Sequence, residues 1–490
     1  MSNTLNLRSY FSGGLATSFA RLISNLIQLA IFVLGARLLG PAEFGIFAIV
    51  ASAAFMAAML AGGGCKEFIL SSRMPKKDVR EVLMLAVLLA LIVAIITACI
   101  AAILYLTFES PNIPLLVALF SIWILVSRYA TAQSAILIRD GQLSAVAFSE
   151  IIGELIGLVV AIIMLHANFG AAALVCGRIF AQSTQVVICN YITGAFPTYR
   201  LTRTVINGFA NFSLLILTTR IVGEGRNALT VFLVGAFFSP AGVGFYRAAQ
   251  RLAGAAQELL SAPAIAVTWS LFRQISDRHD DIDSSEAKAD LQKAMEWIVP
   301  LLVGIAAPIY IGVSIMSEEI LMILLGEAWL PAAPILSILS IAALAFAPIY
   351  PSQPLLGVTG NMKYLPRLML INSIASIGLL LPATQFDLVA VAWAQLAFSI
   401  IVLASYIWIQ EHIIGIDWKR ITRKCSFLVP IVLAMSVVAV LLRGGAIAHG
   451  WHPIVSLMVT AAIAASLYIA SVAVVRARSL SIMIRALRRV

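Results

Sequence analysis

Val82–Phe108 reads VLMLAVLLALIVAIITACIAAILYLTF, 27 residues in succession without a charged side chain. A helix rises about 1.5 Å per residue, so about 20 apolar residues cross the hydrocarbon core of a bilayer. This stretch is long enough to span, and it decides the fold class: an all-α polytopic membrane protein.

Working outward, the same texture recurs along the whole chain. Of the 490 residues, 61% are apolar and 11% charged, against about 45–50% and about 25% in soluble domains. That excludes a water-soluble enzyme, a disordered chain, a coiled coil and a soluble domain on a single anchor. About 14 apolar segments can be marked, from Ser12–Leu34 to Pro453–Val475. They divide into an N-terminal bundle (1–200), a C-terminal bundle (201–412), an extra helix pair (413–475) and a basic amphipathic tail (476–490). The five cysteines, Cys65, Cys99, Cys176, Cys189 and Cys425, are scattered without a CxxC pattern, so neither a disulfide framework nor a zinc site is expected.

The formal charge is +10, and its placement matters more than its size. Alternate loops collect Lys66, Arg73, Lys76, Lys77 and Arg80, then Arg200 and Arg203, then Lys419, Arg420, Arg423 and Lys424, while the opposite loops hold only Arg37 and Arg443. Basic residues accumulate on the cytoplasmic side of a bilayer, which puts both termini in the cytoplasm of a multi-pass inner-membrane protein and makes nucleic acid an unneeded explanation of the charge. The longest opposite loop, Ser317–Pro331, has room for a turn and little else. In the tail, Leu480, Met483, Ile484 and Leu487 share one helical face and Arg478, Arg485 and Arg489 the other, as suits a helix resting on anionic lipid.

The chain also repeats itself. ARLLGPAEFGIF (Ala36–Phe47) and GAFFSPAGVGFY (Gly235–Tyr246) align at one offset, matching Pro41 with Pro240 and Gly45 with Gly244. The same offset sets Arg21 on Arg220, Asn25 on Glu224 and Gln28 on Asn227. Duplicated halves are a common plan for transporters that alternate access around a central site. A recurrent tight turn is the plainer explanation of the strings taken singly.

Charges inside spans carry the functional information. Arg21, Arg128, Arg178, Arg220, Arg226, Arg247 and Arg251, with Glu150, Glu154, Glu224 and Glu258, all fall within apolar segments. A charge at mid-bilayer costs about 2.5–3.5 kcal/mol on insertion scales, so such residues must face water or one another. Cations outnumber anions, and the guanidinium fork suits phosphate oxygens, so an anionic cargo such as a phosphate or diphosphate fits. The simpler alternative is structural pairing, for instance Arg220 with Glu224 at i, i+4. Glu150 and Glu154 stand at i, i+4 on one helix face and are candidates for proton or sodium coupling; pairing of each with an arginine such as Arg178 weighs equally.

ARLLGPAEFGIF, GAFFSPAGVGFYRAAQRL (Gly235–Leu252) and LLGEAWLPAAPILSIL (Leu324–Leu339) together resemble polysaccharide transporters, the Wzx-type O-antigen and exopolysaccharide flippases of the MOP superfamily. The resemblance covers essentially the whole chain. Its motif turns fall on Pro41, Gly45, Pro240, Gly244 and Gly326. It implies two pseudo-symmetric six-helix bundles around a cationic cavity, and alternating access that carries an undecaprenyl-diphosphate-linked oligosaccharide across the inner membrane. Ion-coupled antiport would drive the cycle, with no cofactor beyond a proton or sodium gradient. The diphosphate would meet Arg21, Arg128, Arg178, Arg220, Arg247 and Arg251, and Glu150, Glu154, Glu224 and Glu258 would be the ion-coupling candidates. Partners implied are the lipid-linked substrate, membrane lipids, and a glycan polymerase with its chain-length regulator. Two alternatives compete: a MATE-like multidrug or cation antiporter, which would want an acidic cavity, and a membrane glycan polymerase or ligase, which would want a sizeable outer loop.

Overall fold

The computed structural model describes residues 7–71, 74–107, 112–282 and 284–487, with side chains from Leu22 to Val475 apart from those at 76, 215, 218, 219, 221–224 and 227. In chain order the helices are α1 (Leu7–Gly62), α2 (Cys65–Ser71), α3 (Lys76–Thr107), α4 (Asn112–Arg139), α5 (Leu143–His166), α6 (Ala172–Thr193), α7 (Arg203–Phe237), α8 (Pro240–Arg278) and α9 (Ser285–Ile315). They continue as α10 (Ser317–Leu324), α11 (Ala333–Leu344), α12 (Ser352–Val358), α13 (Leu365–Ala383), α14 (Leu388–Ile409), α15 (Trp418–Cys425), α16 (Leu428–Ala448) and α17 (Pro453–Leu487). Among the described residues there is no strand.

Eleven stretches among the described residues are long and apolar enough to cross a membrane. The first, Leu22–Ser71, is 50 residues long and contains the break in α1 at Gly40, so it supplies two crossings. With α7 and α8 the total agrees with the expected fourteen or so. Apolar side chains face outward on α3, where Ile92, Ile96, Ile100 and Ile103 are all exposed along one side. Outward apolar and inward polar surface is the arrangement a lipid solvent dictates. The protein is an all-α, multi-pass membrane protein.

The chain divides into two compact units, Met1–Arg247 and Ala248–Val490. In the first unit the repeated strings find each other. Gly40 sits at φ 72°, a left-handed conformation that only glycine adopts without strain, and Pro41 opens the next helical stretch, where its missing N–H costs nothing. A Cβ on Gly45 would strike the Pro240 carbonyl, and a Cβ on Gly244 would strike the Pro41 carbonyl. The two Pro-x-x-x-Gly turns therefore clasp reciprocally, backbone to backbone. Within the first of them, Glu43 Oε1 accepts the Ala171 N–H at 2.9 Å and so caps the start of α6. Gly45→Val is expected to destabilise the fold by about 1–3 kcal/mol or more, since backbone cannot yield as a side chain does. Thermal unfolding of the purified protein checks this, with Gly254→Val, where nothing crowds the added Cβ, as the control.

Helices α5 and α6 also approach closely. A Cβ on Gly153 would lie 2.6 Å from the Ala181 carbonyl, and one on Gly157 2.7 Å from the Gly177 carbonyl. Small residues four apart on both helices let the backbones meet, as is usual between helices in a membrane.

In the second unit the core gathers α8, α9, α14 and α15 around Phe272, Leu291, Met295, Ile409 and Ile421. The segment expected to be a bare turn is ordered helix instead: α10, then a 3-10 turn, Glu327–Ala332, which buries Trp329. Gly326, at φ 99°, makes the bend between them. Arg443 on α16 holds this cap, its Nε donating to Glu319 at 2.6 Å and Nη2 to Glu318. Among the described residues no disulfide joins the cysteines. The side chains of the amphipathic tail lie outside the described residues.

Candidate functional site

The first unit encloses a polar cavity of about 320 Å³. Four transmembrane helices each turn a polar stripe toward it: α1 with Ser24, Asn25 and Gln28, α4 with Ser127, Arg128, Thr131 and Ser134, α5 with Glu150 and Glu154, and α6 with Gln182 and Gln185. The spacings are i+3, i+4 and i+7, so each stripe is one face of a helix otherwise built for lipid. The close approach of α5 and α6 at their glycines sets the carboxylates beside the glutamines. Trp123 lines the cavity at one side.

Lys66 completes the lining. It arrives by a turn. Gly63 and Gly64, at φ 53° and 80°, break the helix at the end of α1, and α2 begins at Cys65. Arg128 lies beneath this turn, its guanidinium 3.4 Å from the position a Cβ would take on Gly62.

Hydrogen bonds fix the polar walls. Gln28 Nε2 donates to Glu154 Oε1 at 2.9 Å, and Gln185 Nε2 donates to Ser134 Oγ at 3.1 Å. Arg128 Nε reaches Ser127 Oγ at 3.4 Å. Two cations and two carboxylates thus share one space inside a membrane-spanning unit. Among the described residues no three or more His, Cys, Asp and Glu side chains gather as a metal-ion site.

Of the charges singled out from the sequence, Arg128, Glu150 and Glu154 come together in this cavity. Arg178 lies over the Phe55 ring, its guanidinium carbon 5.0 Å from the centroid. Arg247 lines a smaller cavity of about 160 Å³ with Ser52, Phe55 and Met59. Phe55 is thus common to both arginines. Arg220 does not rely on its i+4 neighbour: its Nη2 donates to Glu67 of α2 at 2.6 Å. In the second unit Arg251 pairs with Glu258 at 3.1 Å, along the same face of α8. The side chains of Arg21 and Glu224 lie outside the described residues. Pro41, Gly45, Pro240, Gly244 and Gly326 are packing and turn residues, as above.

Sequence reasoning missed Lys66, Asn25, Gln28, Gln182 and Gln185 as lining residues. A reading that marks only ionisable residues within spans passes over neutral amides, although Asn25 and Gln28 fall on polar positions of the repeat. Their signal was helical spacing on the faces that also carry the charges.

The Arg220–Glu67 pair ties α7 to α2, next to Lys66. Glu67→Gln and Arg220→Gln should each lower the thermal midpoint, and the double variant should recover part of the loss, because neither charge is then left alone. A double-mutant cycle on unfolding measures it; strict additivity would mean that the pair contributes nothing.

Comparison with known families bears on what such a cavity serves. The family described as polysaccharide biosynthesis protein matches residues 33–334, including both clasping turns and all of α3 to α6. The chain belongs to this family. A curated relative within reach of sequence comparison is the succinoglycan biosynthesis transport protein ExoT of Rhizobium meliloti (strain 1021), 21% identical over 345 residues, 70% of this chain and 68% of that protein. Among solved structures, the lipid II flippase MurJ in its inward closed conformation superposes with a TM-score of 0.73 at 13% identity, covering 96% of this chain and 100% of that one. A MOP superfamily transporter from Pyrococcus furiosus gives 0.54 at 12% identity, over 84% and 96%. At such identities the structural likeness is one of fold. This polysaccharide biosynthesis family member is therefore a membrane protein with the fold shared by MurJ and the MOP transporters.

Proposed function

We propose that the chain is a flippase for lipid-linked oligosaccharides, moving undecaprenyl-diphosphate-linked repeat units of a surface polysaccharide across the inner membrane by alternating access. The observation that carries this reading is the cavity in the first unit, where Lys66 and Arg128 stand inside a spanning bundle beside Glu150 and Glu154. Membership of a polysaccharide biosynthesis family supports a glycan cargo. In this reading the halves 1–200 and 201–412 rock against each other, 413–475 adds a helix pair, and both termini are cytoplasmic. A polymerase and its chain-length regulator would take over the product.

The ionisable groups supply the coupling. With all four ionised, the formal charges of the cavity cancel. A diphosphate adds about two negative charges, which Lys66 and Arg128 match only if the carboxylates take up protons or a sodium ion. Anion binding and protonation therefore strengthen one another. Arg178 and Arg247, grouped at Phe55, add cationic character to the first unit. A MATE-like exporter of cations would gain nothing from these arginines. We further propose that the chain performs no bond-making step: translocation needs positioning and charge matching, which these side chains provide.

A strain lacking the gene should accumulate single lipid-linked repeat units in the cytoplasmic leaflet. Accumulation in the periplasmic leaflet would instead make the chain a polymerase, and unaltered glycan with altered drug susceptibility would favour the exporter.

A further inference from the structure

The second unit carries a groove of about 580 Å³ that the transport reading does not use. It runs between the end of α14 and the short helix α15, and its walls include Ile407, Glu411, Lys419 and Arg423. The sequence builds this place in steps. After Ile409 the α-helix widens into one π turn, Gln410–Ile414, and Gly415 at φ 85° ends it. Asp417 then caps α15, accepting the N–H groups of Lys419 and Arg420. Gln292 of α9 clamps that cap from both sides, donating to the Asp417 carbonyl at 3.1 Å and accepting its N–H at 2.8 Å. Trp418 and Ile421 are buried, and Trp418 Nε1 donates to Gln410 Oε1 at 3.1 Å. The helix is therefore fixed in place, with its basic face outward.

Four basic residues lie on α15, and two are engaged: Arg420 with Asp417 at 3.1 Å and Lys424 with Glu296 at 2.5 Å. The two that line the groove, Lys419 and Arg423, make no ion pair among the described residues. They stand at i, i+4, an arrangement that repels unless an anion sits between them. Apolar surface leads away from the same groove. Ile400 lies two turns before Ile407 on α14, and Val429 and Leu433 follow the groove residue Ser426 at i+3 and i+7; all three are exposed. Trp408, 57% exposed beside Ile407, is an aromatic side chain of the kind that gathers at bilayer interfaces.

We propose that this groove is a binding site for an anionic phospholipid of the glycerol-headgroup type, phosphatidylglycerol. Its phosphate sits between Lys419 and Arg423, its headgroup hydroxyls donate to Glu411, and its acyl chains lie along Ile400, Val429 and Leu433. A free phosphate would use the two cations but none of the apolar surface. The lipid pins the α14–α16 junction to the membrane surface.

Native mass spectrometry of the full-length protein, titrated with phosphatidylglycerol, phosphatidylcholine or soluble glycerol 1-phosphate, tests this. Saturable binding is expected for phosphatidylglycerol alone. Each basic residue near an anionic lipid contributes about fivefold in affinity, so Lys419→Gln with Arg423→Gln should bind about 30-fold more weakly. Arg200→Gln with Arg203→Gln, exposed in the first unit, should bind as the unaltered protein does. If the groove double variant does not fold, Arg423→Gln alone should still show the loss of about fivefold. Unchanged affinity in the groove variant, equal binding of phosphatidylcholine, or glycerol 1-phosphate binding as tightly as the lipid would each overturn the proposal.

Discussion

Replacing Lys66 and Arg128 together by glutamine is expected to reduce surface polysaccharide by about a hundredfold or more while the protein remains in the membrane. A hydrogen bond to a charged group contributes about 1.5–3 kcal/mol, so losing two phosphate contacts amounts to about 3–6 kcal/mol. That alone is a hundredfold or more in binding. The remaining balance adds to it, because the cavity would keep the carboxylates of Glu150 and Glu154 without the charges of Lys66 and Arg128. Polysaccharide per cell, normalised to flippase in the membrane, is the measurement. Arg220→Gln with Glu67→Gln is the reference variant: it neutralises a neighbouring pair but keeps the cavity's cations. Equal losses in both variants would mean that general damage to the α2 region, not the loss of phosphate contacts, causes the effect.

The second large effect is on pH dependence. In reconstituted vesicles, substrate binding by the unaltered protein should tighten as pH falls, since each proton taken up by Glu150 or Glu154 leaves the cavity more positive. The sign is fixed by charge: the state that binds the diphosphate binds more protons, so lower pH favours it. Glu150→Gln with Glu154→Gln holds both positions neutral and should bind well at every pH, with the slope abolished. The same variant should stall in transport, because nothing is left to release cargo when protons leave. Glu154→Gln by itself keeps the partner for Gln28 in part, since an amide oxygen can still accept the bond at the site of the 2.9 Å contact. A retained pH slope in the double variant would move the coupling site elsewhere.

Much of this fold was legible because a bilayer demands so little of a sequence. Val82–Phe108 needs only length and apolarity to be read as a span, and every such run reads the same way. The Pro41–Gly45 and Pro240–Gly244 turns were visible as a repeat; that they clasp each other was not, because a contact between backbones so far apart in sequence leaves no local periodicity. Lys66 looked like a loop cation since charge counting treats any polar interruption as outside. The break at Gly63 and Gly64, after which α2 packs against α4, brings it to the cavity instead. Arg220 looked like an i+4 partner for Glu224 and is held by Glu67, 153 positions away in sequence. Carboxylates on α5 were found because a formal charge in a span is conspicuous, whereas the amides of α1 and α6 carry none and pass among the polar residues that helices in a bundle pair with one another. Charge inside spans thus pointed to the right bundle, and only packing revealed which charges share a cavity.

The most direct test is leaflet-to-leaflet movement itself. Purified protein is reconstituted with a fluorescent lipid-linked oligosaccharide, and a membrane-impermeant quencher reports how much lies in the outer leaflet. The account predicts rapid equilibration of the label between leaflets in vesicles holding the unaltered protein, and the slow rate of protein-free vesicles for Lys66→Gln with Arg128→Gln. Equal rates with and without the unaltered protein, under an imposed proton or sodium gradient of either direction, would contradict it.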